Sequence, residues 1–133
     1  MSENKIKHLE FIHNTINRMS TNSFIIKGWS ITLTSALFAL AAKDADKTYV
    51  FITYFSIVFF WLLNAFFLKF ERQFRYLYDD VRILTEDSID FSMNISKYNS
   101  GRNTSSSAFF SKSLMLFYIP QIVISIIIMF FLS

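Results

Sequence analysis

YVFITYFSIVFFWLLNAFFLKF, residues 49–70, carries a single charge, Lys69, next to its end. A helix rises about 1.5 Å per residue, so this stretch extends roughly 30 Å, the thickness of a bilayer's hydrocarbon core. Helices in soluble cores seldom stay apolar on every face for that long. The stretch reads as a membrane span.

The pattern continues beyond Phe70. Apolar residues fall at Phe70, Phe74, Leu77, Val81, Leu84, Phe91 and Ile95, with Ser88 in the one gap. Steps that alternate four and three are the heptad spacing of a helix with a buried seam. Glu71 with Arg75, Arg75 with Asp79, and Arg82 with Glu86 stand four apart, a spacing worth about 0.2–0.5 kcal/mol per pair on a helix. No Gly or Pro interrupts residues 49–95. The expectation is one rod of about 70 Å, a span at residues 49–70 and a cytoplasmic heptad helix at 71–95. Its seam would mediate oligomerisation.

Two further apolar runs flank this rod. Residues 24–42, FIIKGWSITLTSALFALAA, make a first span, with Lys27 able to snorkel to the headgroups and Trp29 as an interfacial anchor. Gly28, Thr32, Ser35 or Ala36, and Ala39 form a small-residue strip that would let another helix approach closely. A pore lined by Ser30, Thr34 and Ser35 is the sharper alternative. The turn KDADK, residues 43–47, is short enough to fold spans one and two into an antiparallel hairpin. Within span two, Asn64 is the best candidate for a hydrogen bond across helices. Trp61 sits near mid-span, where either packing in a helix interface or a span shifted relative to residues 49–70 is expected.

Residues 114–132 give the third span. Pro120 should loosen it locally, and Tyr118, Gln121 and Ser125 share one face. Amide and hydroxyl groups are costly against lipid, so that face should point towards protein or water. Residues 96–113 are rich in Ser and Asn, hold no period, and read as a loop or short ordered turn.

Residues 1–23 repeat Ile6, Leu9, Ile12, Ile16 and Met19 at helical steps, an amphipathic helix for the membrane surface or a neighbouring helix. His8 and His13, five apart, fall on different sides and read as surface histidines. Ala39-Leu40-Ala41 resembles a signal-peptidase site, yet the long patterned lead-in, with Glu3 and Glu10, favours an uncleaved anchor.

The whole is an all-α polytopic membrane protein of 133 residues, 53% hydrophobic with 17 Phe. Eleven Lys and Arg flank the N-terminal tail and the long second loop, against Lys43 and Lys47 on the other side. By the positive-inside rule the N-terminus is cytoplasmic and the C-terminus outside. That topology puts the triplets Asn94-Ile95-Ser96 and Asn103-Thr104-Ser105 out of reach of glycosylation.

Zero Cys removes thiolate chemistry. No nucleophile–base constellation, phosphate loop or metal-ligand cluster appears. Asp79, Asp80, Glu86, Asp87 and Asp90 interleave with arginines as a solvated face. No enzyme activity, cofactor, metal or nucleic-acid partner is expected. The expected partners are the lipid bilayer, further copies of the chain, and a cytoplasmic protein or small signalling ligand.

The run HLEFIHNTINRMSTNSFIIKGWS (residues 8–30), continued by ALFALAAKD (36–44), resembles the opening of small, uncharacterised bacterial inner-membrane proteins. The basic lead-in, two-span hairpin and long cytoplasmic helix, residues 8 to 95, resemble the layout of SLATT-type membrane effectors. That resemblance implies oligomerisation and a breach of the membrane on a trigger, in an anti-phage or stress setting. An adaptor subunit that docks a soluble partner through the cytoplasmic helix is the alternative. The third span departs from the two-span plan.

Overall fold

The computed structural model describes residues 3–44 and 46–132, with the side chain of Arg102 left aside; Ala45 of the KDADK turn lies outside the described residues. Among the described residues four α-helices follow one another: α1 (Glu3–Asp44), α2 (Lys47–Arg82), α3 (Ser105–Phe109) and α4 (Lys112–Phe131). Between α2 and α3 lie three short 3-10 turns, and no strand occurs among the described residues. Three of the helices, α1, α2 and α4, are long and apolar enough to cross a bilayer.

The lead-in and the first apolar run are one helix of 42 residues rather than two elements. The polar run Ser20-Thr21-Asn22-Ser23 offers residues that commonly cap a helix, but it does not break this one. The Ser23 hydroxyl instead donates to the Asn64 side-chain carbonyl at 2.6 Å, so a tertiary bond takes the place of a local cap. Of the two placements open to the amphipathic stretch, the structure shows the neighbouring helix. Leu9, Ile12 and Ile16 pack with Leu77 and Val81 of α2.

The second helix begins at a cap. Asp46 accepts a hydrogen bond from the Thr48 amide at 2.9 Å, which holds its carboxyl below the usual carboxylate range. The helix ends at Arg82, not at Ile95. The reason is local competition. Asp90 accepts from the Ser92 amide, Ser92 from the Asn94 amide and Asn94 from the Ser96 amide, at 3.0, 3.2 and 2.9 Å. Each of these side chains offers the backbone a turn in place of a helical bond. Phe91 adopts a left-handed backbone, φ 56°, which a helix does not accept.

The chain therefore folds back after Arg82 as a strap, residues 83–100, across the polar ends of α1 and α2. Much of the heptad pattern is covered within the chain itself. Leu77 and Val81 are buried, with Phe74, Leu84 and Ile95 packed against them, the last two from the strap. Phe70 is half-buried with the Lys69 ammonium 4.6 Å from its ring centre, and Phe91 leans on His8 and Phe11. The charge pattern changes with it. Glu71 pairs with Arg75 at 3.5 Å. Arg82 pairs with Asp79 at 3.3 Å instead of with Glu86, because Glu86 has left the helix.

Residues 101–111 then run along α2. Gly101 takes a positive φ of 58°, where a side chain would be strained. Gln73, buried in α2, donates to the Asn103 carbonyl at 3.0 Å and pins the loop. Thr104 caps α3 and Ser111 caps α4. The loop is thus ordered, although no period announces it.

Candidate functional site

Two polar constellations stand out, one between the apolar helices and one under the strap. The first is built on α4. Gln121 Oε1 accepts from the Ser30 and Thr34 hydroxyls of α1 at 3.2 and 3.1 Å. Ser125 donates to the Gln121 carbonyl at 2.8 Å. One turn towards the polar end, the Asn64 amide donates to the Tyr118 hydroxyl while its carbonyl takes the Ser23 bond. Trp61 lies parallel to Phe109, ring centres 4.1 Å apart, and its indole N–H donates to the Phe109 carbonyl at 2.7 Å.

These bonds join α1, α2 and α4 without exposing Asn64, Tyr118 or Ser125. Hydroxyl and amide groups satisfied inside the chain act as glue between helices, each worth about 0.6–2 kcal/mol in lipid. Ser30 and Thr34 are spent on Gln121. Gly28, Thr32, Ser35 and Ala39 are not brought into this network. They remain exposed on α1, and Thr32 donates only to its own helix at the Gly28 carbonyl, 2.9 Å away.

The second constellation ties the strap to α1. The Glu86 carboxylate accepts from the Asn4 and Lys5 amides, both at 3.2 Å. A carboxylate there satisfies two orphan donors and faces the positive end of the helix dipole. Replacing Glu86 by Ala is expected to cost about 1 kcal/mol. Hydrogen exchange at the Asn4 and Lys5 amides should then quicken; unchanged exchange would show that the cap contributes nothing.

His8 is buried, 1% exposed, which corrects its reading as a surface histidine. Its Nε2 lies 2.9 Å from the Ser92 carbonyl. A carbonyl oxygen only accepts, so Nε2 carries the proton and, in the neutral ring, Nδ1 carries the lone pair. Nδ1 is buried and has no hydrogen-bond partner among the described residues. A signal for this burial exists in the sequence, because His8 stands four before Ile12 and eight before Ile16. Farther along the strap, the Tyr98 hydroxyl donates to Asp80 at 2.5 Å. Burial first, and the Asp80 carboxylate second, push that phenol well above its ordinary range. Lys97 adds a 3.8 Å contact to the same Asp80 oxygen.

Under the strap lies a cavity of about 440 Å³, bordered by His8, Asp80, Asp90, Asn94, Lys97 and Tyr98. Its walls set the carboxylates of Asp80 and Asp90, each already holding a hydrogen bond, beside the Lys97 ammonium and the apolar side chains of Leu77, Val81, Ile83 and Leu84. Among the described residues no group of three His, Cys, Asp or Glu could hold a metal ion. Glu86, Tyr98 and Gln73 carry no sequence signal, since each acts across a fold-back that local spacing does not encode.

Comparison with protein-family models, with characterised proteins and with solved structures finds no match to this chain.

Proposed function

We propose that this protein is an oligomeric effector of a bacterial inner membrane, gated from a cytoplasmic head that the strap clamps shut. One observation carries the reading: α1 and α2 each run unbroken from the apolar region into the clamped head. A helix that crosses from head to span without a hinge carries a displacement of the head into the bilayer. The excess of Lys and Arg beside the head favours a cytoplasmic N-terminus, with the C-terminus outside.

Two arrangements of the head would differ in how the strap lies on α1. A cytoplasmic protein, or a small ligand in the cavity, that binds the open arrangement better shifts the population towards it. With Leu77 and Val81 filled from within the chain, self-association falls to the strip Gly28, Thr32, Ser35 and Ala39. The SLATT-like layout, with its cytoplasmic helix shortened to Arg82, accords with an anti-phage or stress setting in which an open oligomer raises permeability.

A Cβ added at Gly28 meets no atom within 4 Å. Gly28→Leu should therefore leave the fold intact, melting no lower than the wild type because a mid-helix Gly is unfavourable, and remove crosslinked oligomers and the loss of membrane potential on strong induction. Normal membrane potential in the induced wild type would refute the effector reading. The second reading is an adaptor subunit that docks a soluble partner on its cytoplasmic helix, favoured by Tyr76 and Ile83, which stay exposed on and just past that helix. A stoichiometric foreign subunit on purification would select it.

A further inference from the structure

A second cavity, of about 230 Å³, opens where α1, α2 and the start of α4 meet. The first helix contributes Ser20, Ser23 and Lys27, the second contributes Phe67 and Glu71, and Ser113 closes it from α4. These residues stand at the polar margins of all three apolar runs. In a bilayer this is the headgroup level of the cytoplasmic leaflet.

The chemistry of the walls is divided. Lys27 lies one turn inside its apolar run and must reach back towards water, because an ammonium among acyl chains is costly. Its ammonium lies 5.8 Å from the centre of the Phe117 ring. Glu71 offers a carboxylate whose side chain is only 16% exposed, with Arg75 3.5 Å away on its own helix. Ser23 has committed its proton to Asn64, and its oxygen remains an acceptor. A cation and an acid in one small cavity suit a ligand that carries both charges. A simple anion would meet Glu71, and a simple cation would meet Lys27.

We propose that this cavity holds the headgroup of a phospholipid carrying a primary amine, the phosphatidylethanolamine class. The phosphodiester takes Lys27, the ammonium donates to Glu71, and the acyl chains descend past Phe24 and Leu114, which also border the cavity. This assignment rests on the membrane placement above and is independent of any effector activity. It makes the lipid a fourth element in the packing of three helices.

The test uses the full-length protein purified in detergent and stripped of lipid, read by thermal melting and by native mass spectrometry. Dioleoyl phosphatidylethanolamine should bind about two- to five-fold more tightly than the phosphatidylglycerol analogue, the worth of one partly exposed ion pair. Phosphatidylcholine, whose methylated ammonium cannot donate a hydrogen bond, should also bind more weakly than the ethanolamine lipid. Glu71→Gln should erase the ethanolamine preference, and Lys27→Gln should weaken both phosphatidylethanolamine and phosphatidylglycerol.

Equal binding of the three lipids to the wild type would overturn the proposal, as would a preference retained in Glu71→Gln. Protection by water-soluble phosphoethanolamine as strong as that by the lipid would also overturn it, because the ligand would then be a free headgroup. The three-lipid comparison needs no variant, so a misfolded mutant does not spare the claim. Failure here with intact membrane insertion leaves the topology standing; failure of insertion removes both.

Discussion

Trp61→Ala should destabilise the protein by about 3–5 kcal/mol, the usual cost of truncating a buried aromatic. The side chain is buried, lies parallel to both Phe109 and Tyr118, and donates its N–H to the Phe109 carbonyl. Removing it strips α3 of its anchor and leaves that carbonyl without its donor. Trp61→Phe keeps much of the ring contact and loses the hydrogen bond, so it should cost about 1 kcal/mol. Unfolding in mixed micelles separates the two variants. Trp29 is 63% exposed and serves as the control, because Trp29→Ala should leave stability nearly unchanged. A Trp61→Ala protein that unfolds with the wild type would contradict the described packing of α2, α3 and α4.

Ile12→Ala is the second large effect. Ile12 is wholly buried between α1 and α2, and deletion of a buried Ile side chain down to Cβ costs about 2–5 kcal/mol. The loss falls on the head, where the strap depends on the same cluster through Ile89, Met93, Ile95 and Tyr98. Proteolysis within residues 83–100 should therefore accelerate, while the apolar helices in detergent stay resistant. If Leu77 and Val81 formed a seam between protomers instead, the same substitution would leave the strap's protection unchanged. Limited proteolysis with mass mapping distinguishes the two.

The contrast between α2 and its strap indicates what the sequence could convey. Long apolar runs declare themselves by length alone, and α1, α2 and α4 were all legible in that way. The face shared by Tyr118, Gln121 and Ser125 was legible too, because polar groups within an oily helix have few places to go. Of the two readings open to Trp61, a helix interface or a shifted span, the packing against α3 and α4 shows the interface. The heptad after Phe70 was real as an apolar pattern. Its partner was not legible, because a seam does not say whether a second chain or the chain's own lead-in fills it.

What misled was the reach of the pattern past Arg82. Leu84, Phe91 and Ile95 keep heptad register, so periodicity alone extends the helix. The turn bonds of Asp90, Ser92 and Asn94 compete at a smaller scale, and they win because folding back covers Leu77 and Val81. His8 shares the buried face with Ile12 and Ile16, but a polar residue adds nothing to an apolar period and so reads as surface. Spacing pairs Glu86 with Arg82, whereas the fold-back hands it to the amino end of α1. Interactions between segments about eighty residues apart leave no periodic trace.

The chain has no native cysteine, so single cysteines can map its topology directly. Asn14→Cys, Ser100→Cys and Asp44→Cys each replace an exposed side chain. In sealed membrane vesicles of known orientation, a membrane-impermeant maleimide should label positions 14 and 100 from the cytoplasmic side and position 44 only from the other. The chain should also resist extraction by alkaline carbonate. Release into the soluble fraction, or labelling of positions 14 and 44 from the same side, would contradict the account.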